Sequence, residues 1–152
     1  MVDSSEKVQL MRTGFEQVHV ENDWYDGPRS GLANVNRVPH YFQAVHDYNR
    51  PDAPHDQYFV WPADELTFSL EREQWGIFVA WNDAYETGAA TVDSHPAVGE
   101  IDARYDELQK LLAPRRTVPD EARLLVAEWR GIPGAVGRYH VDGLCYLVRW
   151  RP

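Results

Sequence analysis

The sequence predicts an α+β fold built on a mostly antiparallel sheet, and three observations carry that prediction. Strand-like segments sit at both ends of the chain, in residues 13–61 and 124–151. A helical period fills the middle, from about Glu71 to Leu112. Clusters of Asn, Asp, Gly and Pro punctuate the strand-rich ends, as short antiparallel connections require. The sheet, an N-terminal meander plus the C-terminal strands, is expected to pack against one or two amphipathic helices.

The 152 residues are expected to make a single domain, 1–152. That length is enough to bury roughly 68–70% of the unfolded surface. Six tryptophans, eight tyrosines and five phenylalanines supply ample core material. No run of about 18 apolar residues is present, so no membrane span is expected. Met1–Lys7 lacks a basic region followed by an apolar one, and reads as no signal peptide. The lone cysteine, Cys145, excludes an internal disulfide and fits a reducing compartment, so a cytoplasmic location is expected.

Residues 1–12 are polar with weak patterning and read as a loose tail. Thr13 to Val20 begins the strands, with Phe15, Val18 and Val20 as its apolar members. Asn22-Asp23 and Asp26-Gly27-Pro28 form a bend, because Asx side chains cap turns, glycine accepts positive φ and proline fixes its own. From Gly31 the chain alternates into a second strand. Asn36-Arg37 then reads as a two-residue type I′ hairpin loop between Val35 and Val38, with arginine a mild misfit where glycine is preferred. In that register Val35 faces Val38 and Asn34 faces Pro39. Pro39 lacks an N–H, which marks a sheet edge or a strand start.

The return strand reads as Pro39 to Asp47, with His40, Phe42, Ala44 and His46 on one face and Tyr41, Gln43, Val45 and Asp47 on the other. Tyr48 to His55 holds Pro51 and Pro54 and reads as a loop. Tyr58–Trp61 is a short apolar strand ended by Pro62. Residues 64–70 fit either a strand or the start of a helix capped by Asp64 or Thr67. Trp75, Phe78, Val79, Asn82 and Tyr85 then trace a helical face, with Gly88 as its stop. A second helix is expected from about Gly99 to Leu112, with Ile101, Tyr105, Leu108 and Leu112 inward. Leu124–Trp129 and Leu144–Arg151 read as the closing strands, separated by a loop rich in glycine.

The formal charge of −9, from 24 acidic and 15 basic side chains, opposes binding to phosphate backbones and anionic membranes. Arg115-Arg116 and Arg149-Trp150-Arg151 are the only basic clusters, so nucleic acid is not an expected partner. No G-x-G-x-x-G or P-loop occurs, and no cofactor is expected. No metal is expected either. His40 and His46 lie about 20 Å apart along a strand, too far to share one ion. Only a site assembled through space from His19, His40 or His140 with Asp23 or Asp47 stays open. Cys145, mid-strand, reads as a small hydrophobe rather than a nucleophile. Ser30 lacks the spacing of a nucleophile elbow. Glu71, Glu73, Asp83 and Glu86 fall on the polar side of the first helix and read as solvated charge.

Arg29 with the turn amides of Gly27 and Gly31 could cradle a carboxylate or phosphate. The competing reading pairs Arg29 with Glu21, Asp23 or Asp26 and simply locks the turn. Asp26, Arg29, Ser30, His40 and Tyr41 are therefore the candidate ligand-binding residues, with no catalytic residue assigned.

The segment Trp24-Tyr25-Asp26-Gly27-Pro28-Arg29-Ser30-Gly31, followed by Pro39-His40-Tyr41-Phe42, resembles a group of small uncharacterised bacterial proteins. In that group a Y-D-G-P-R-x-G segment precedes a P-H-Y-F strand, a tryptophan-rich helix and an H-P-A turn, here Trp75–Trp81 and His95-Pro96-Ala97. The resemblance spans roughly residues 22–112, and Arg37 departs from it where glycine is more usual. It implies no activity, so no functional residue carries over.

The expected function is a non-enzymatic module that binds a protein or a small ligand through the sheet face and the Asp26–Gly31 loop, as a monomer or homodimer. One alternative is a small enzyme built on Arg29, His40 and Asp26, which requires those side chains to converge in one pocket. Another is an acidic inhibitor or immunity-type protein that masks a basic partner.

Overall fold

The computed structural model describes residues 4–47 and 49–152. They fall into two compact units, one of residues up to Ala63 with Val118–Pro152, the other of Asp64–Thr117. In chain order the first unit holds α1 (Ser4–Arg12), β1 (Glu16–Trp24), β2 (Pro28–Val35), β3 (Val38–Ala44) and β4 (Gln57–Pro62). After the second unit come β5 (Arg123–Gly131), β6 (Tyr139–His140), β7 (Gly143–Leu144) and β8 (Tyr146–Arg151).

The fold is α+β and antiparallel as expected, but the sheet closes. Six strands form a barrel in the order β1-β2-β3-β4-β5-β8, and β6-β7 make a separate small ribbon. Closure depends on β8, which pairs with β5 from Val126↔Arg151 to Gly131↔Tyr146. On its other side β8 meets β1 at Glu16↔Val148 and Gln17↔Leu147. Barrel closure follows from strand tilt and stagger, which local patterning does not encode.

Rings fill the barrel. Phe42 lies 5.8 Å from Tyr58 and 5.3 Å from Trp129 between ring centroids. Tyr58 and Trp150 each meet Trp129 nearly edge to face, at 76° and 72°. Such pairs contribute about 0.5–1.5 kcal/mol each beyond area burial. Their polar atoms are satisfied in turn. Trp129 Nε1 donates to the Tyr58 hydroxyl at 3.2 Å, and Tyr58 donates to the Pro28 carbonyl at 2.7 Å. Trp150 Nε1 donates to the Asn34 carbonyl at 3.0 Å.

The hairpin register is as the sequence predicts, with Val35↔Val38 and Asn34↔Pro39. Asn36 and Arg37 take φ of 52° and 66°, the two left-handed conformations a type I′ turn needs. The Arg37 misfit is offset by Glu16, whose carboxylate accepts the amides of Asn36 at 3.0 Å and Arg37 at 2.6 Å. Pro39 marks a strand start rather than a sheet edge: pairing with β4 begins at His40↔Pro62, inside a closed barrel. The ladder ends at Ala44, so β3 is shorter than the expected strand to Asp47.

Residues 4–12 are helix, not a loose tail; residues 1–3 of the expected tail lie outside the described ones. Leu10 packs on a cluster of Phe15, Ile132 and Leu147, which anchors α1 through a single apolar side chain. That is why no amphipathic period is visible there.

In the second unit α2 spans Glu65–Glu86, which resolves 64–70 as helix. Asp64 caps it, accepting the Thr67 amide at 2.8 Å. Gly88 follows with φ of 82°. The buried stripe of α2 includes Thr67, Glu71, Gln74, Trp75 and Val79, so Glu71 is not solvated charge. Its wholly buried carboxylate takes two bonds from Arg116, each 2.8 Å. The second long helix, α3, begins at Ala103, later than expected, because Gly99 and Glu100 adopt φ of 93° and 61°. Ile101 is consequently exposed, while Leu108 and Leu112 are buried.

Candidate functional site

The turn between β1 and β2 consists of Tyr25, Asp26 and Gly27. Asp26 and Gly27 adopt φ of 54° and 122°, and the Tyr25 amide donates to the Gly27 carbonyl at 3.0 Å. This geometry explains the Asp-Gly-Pro sequence: Asp tolerates the left-handed region, glycine the second positive φ, and Pro28 starts β2 with its φ preset. The turn holds Tyr25 out, at 74% exposure, with Trp24 beside it at 45%.

Asp26, Arg29 and Ser30 therefore stand together at this end of the barrel. Arg29 does not lock the turn by an ion pair as the competing reading supposed. Its guanidinium lies over the Tyr25 ring, 5.9 Å from the centroid, and no carboxylate among the described residues pairs with it. Glu21, one of the proposed partners, is engaged by Arg138 instead.

An open cavity of about 810 Å³ lies here. Its walls come from Asp23 and Trp24 of β1, Tyr25 of the turn, Arg29 and Ser30 of β2, and Gln43 and Ala44 of β3. His46, Asp47 and Pro51 contribute from the loop that follows. The register places Asp23, Ser30 and Gln43 opposite one another across three strands, so they share a face.

The loop is held by its own bonds. His46 Nδ1 donates to the Ala53 carbonyl at 3.1 Å, and its ring lies 3.8 Å from that of His55. Asp47 Oδ1 accepts the amides of Asn49 and Arg50 at 2.7 and 2.8 Å. Tyr48, part of the expected loop, lies outside the described residues.

His40 and Tyr41 are not brought to this cavity. Tyr41 lies at the middle of β3 and His40 nearer its hairpin end, where His40 is 8% exposed and its Nδ1 donates to the Val38 carbonyl at 2.7 Å. Tyr41 stacks on Trp61 with centroids 5.2 Å apart. The convergence that an enzyme site of Arg29, His40 and Asp26 requires is absent. Among the described residues no basic side chain is hydrogen-bonded to Ser30. No group of three His, Cys, Asp or Glu side chains among the described residues is arranged to hold a metal.

Behind Trp24 stands a polar cluster that the sequence did not disclose. Arg138 donates to both oxygens of Glu21, at 2.9 and 3.0 Å, and the Glu21 side chain is only 6% exposed. The Tyr146 hydroxyl donates to the same carboxylate. Burial, and then the Glu21 charge, push the Tyr146 phenol far above its ordinary value, so it stays a donor. The Arg138 guanidinium lies over the Trp24 ring at 4.1 Å and the Tyr139 ring at 5.2 Å. Except for the contact with the adjacent Tyr139, these contacts span more than a hundred residues of sequence, and nothing in the local pattern around Arg138 points to them.

Asp23, Trp24 and Tyr25 lay within the stretch that looked organised around turn chemistry. Gln43, His46 and Asp47 entered only as strand faces or metal candidates. No family model matches this chain, and no curated protein or solved structure matches it.

Proposed function

We propose that the strand-rich unit is a binding module for a small ring-bearing polar molecule, held in the cavity between the Trp24–Arg29 turn and the loop after β3. The observation that carries this reading is the combination in one cavity of an arginine with no ion-pair partner among the described residues and two exposed rings. The volume falls in the range of about 300–1,000 Å³ usual for small-molecule sites. Arg29 can offer a bidentate charged contact, and Trp24 and Tyr25 offer flat apolar faces. Ser30, Gln43 and Asp23 add hydrogen-bonding groups along one wall.

Nucleic acid stays outside the proposal for a local reason as well as the overall charge. Arg116 is bonded to Glu71 and Gln74, and Arg115 donates to the Leu111 carbonyl. Arg149 pairs with Glu128, and Trp150 is packed among the barrel rings. Of the two basic clusters, Arg115, Arg116 and Arg149 are thus engaged internally, and Arg151 is exposed. No described helix is long and apolar enough to cross a membrane. The cytoplasmic location, and a monomer or homodimer, belong to the same proposal.

The test is a small-molecule library screened by amide-resolved NMR. Binding should move the amides of residues 23–30 and 43–47, and Arg29→Ala or Tyr25→Ala should abolish the shifts while leaving the rest of the spectrum intact. A library whose binders all perturb other residues would defeat the reading. Turnover of any bound compound would defeat its non-enzymatic half.

A further inference from the structure

We infer that the ligand of this cavity is a zwitterion, an aromatic amino acid or a close relative, with its carboxylate on Arg29 and its ammonium on Asp23. The inference rests on the small-ligand reading above and narrows it to a chemical class. The charges of the wall decide it. Arg29 supplies one positive group, while Asp23 and Asp47 supply two negative ones. A purely anionic ligand would meet two carboxylates, on a chain that already carries −9. A purely cationic one would meet the guanidinium. A molecule with both signs satisfies both walls and leaves no like charges opposed.

The opposite charges of the wall are also not spent on each other. No ion pair joins Arg29 to Asp23 or Asp47, and the Asp23 carboxylate accepts no hydrogen bond among the described residues. Asp47 is half committed, since its Oδ1 already holds two loop amides. Asp23 is therefore the main ammonium acceptor, with the second oxygen of Asp47 in support. The exposed rings of Trp24 and Tyr25 favour a flat side chain over an aliphatic one.

Three matched probes separate the possibilities: phenylalanine, phenylpropionate, which lacks the amine, and phenethylamine, which lacks the carboxylate. Their affinities are read from the amides of residues 23–30 and 43–47, with Arg29→Gln and Asp23→Asn as variants. Asp23→Asn is isosteric at an exposed position, Arg29→Gln shortens a half-buried side chain, and the remaining amides report whether the fold is kept. Phenylalanine should bind at least about tenfold more tightly than either fragment. Arg29→Gln should bring it down to phenethylamine and leave phenethylamine unchanged; Asp23→Asn should bring it down to phenylpropionate. Equal binding of phenylalanine and one fragment, or variants that weaken all three probes alike, would overturn the zwitterion. If these probes fail while other library compounds still shift the cavity amides, the zwitterion falls and the binding module stands. Silence of those amides toward the whole library removes both.

Discussion

Replacing Gly31 with alanine tests the architecture where it is least forgiving. Gly31 lies in β2 opposite Glu21 of β1 and Phe42 of β3. A Cβ at this position would stand 2.0 Å from the Val20 carbonyl oxygen and 3.0 Å from Phe42 Cζ. Ordinary contact begins near 3.4 Å, so β1 would have to retreat by 3.4 − 2.0 = 1.4 Å. The obstacle is main chain in a closed barrel, and no rotamer change relieves it. Overpacking costs about 1–3 kcal/mol, occasionally more, and a backbone clash belongs at the top of that range. At about 2–4 °C per kcal/mol for a chain of this size, a loss of about 3 kcal/mol lowers Tm by about 6–12 °C. The assay is urea and thermal unfolding followed by far-UV circular dichroism. Gly76→Ala is the control: its Cβ meets nothing within 4 Å, and alanine is favoured in a helix by about 0.8–1.0 kcal/mol. The same substitution should therefore carry opposite signs at the two sites. A Gly31→Ala protein within about 0.5 kcal/mol of the parent would refute the close approach of β1 to β2 at this position.

Two further predictions concern the helical unit. Arg116→Ala strips the bidentate partner from a carboxylate with no exposed surface and should cost about 3–5 kcal/mol in urea unfolding; replacing Glu71 and Arg116 together by methionine should cost less than Arg116→Ala alone, and the reverse order would show the pair to be incidental. His95 accepts the Ala97 amide through Nδ1 at 3.0 Å and packs 4.4 Å from Trp81, and burial holds its imidazole below the usual value near 6.5. The unfolded chain then binds the proton more readily, so the stability His95 contributes is full above about pH 6.5 and is lost as pH falls toward its folded value. His95→Asn should flatten that acid-side slope of the urea midpoint, and an unchanged slope would contradict it.

The parts legible in the sequence are those set by neighbouring residues. The Asn36-Arg37 hairpin and the bend at Asp26-Gly27-Pro28 each need only a few adjacent side chains and are readable. Residues 64–70, by contrast, fit strand or helix from sequence, with Asp64 and Thr67 as rival caps, and the structure chooses Asp64. What stayed hidden depends on distant partners. Glu71 looked like solvated charge because its i±3 and i±4 neighbours do not include Arg116, which arrives from after α3. The helix at Ser4–Arg12 was unreadable for a similar reason: its one anchoring residue, Leu10, meets Ile132 and Leu147 from the far end of the chain. Within the site, Arg29 and Ser30 share a turn with Asp26 and could be grouped by proximity. His40 and Tyr41 were grouped with them only because a short hairpin follows, and the strand carries them away from the bend as β3 and β2 pair.

The same long-range contacts bear on the affinity the proposed binding reading expects at this end of the barrel. A ring that must be ordered on binding costs about 0.5–1.5 kcal/mol per side chain, enough to cancel much of a stacking contact. Trp24 avoids that cost. One face of its indole lies against Arg138, which is held by both oxygens of a nearly buried Glu21, itself fixed by Tyr146. The ring is therefore set before any ligand arrives, yet 45% of the residue remains exposed. Tyr25, at 74% exposure with Arg29 over its ring, is the less enclosed of the two rings. Under the proposed binding reading, Trp24 is the preset platform and the more exposed Tyr25, with Arg29 over its ring, is the second face a flat ligand would meet.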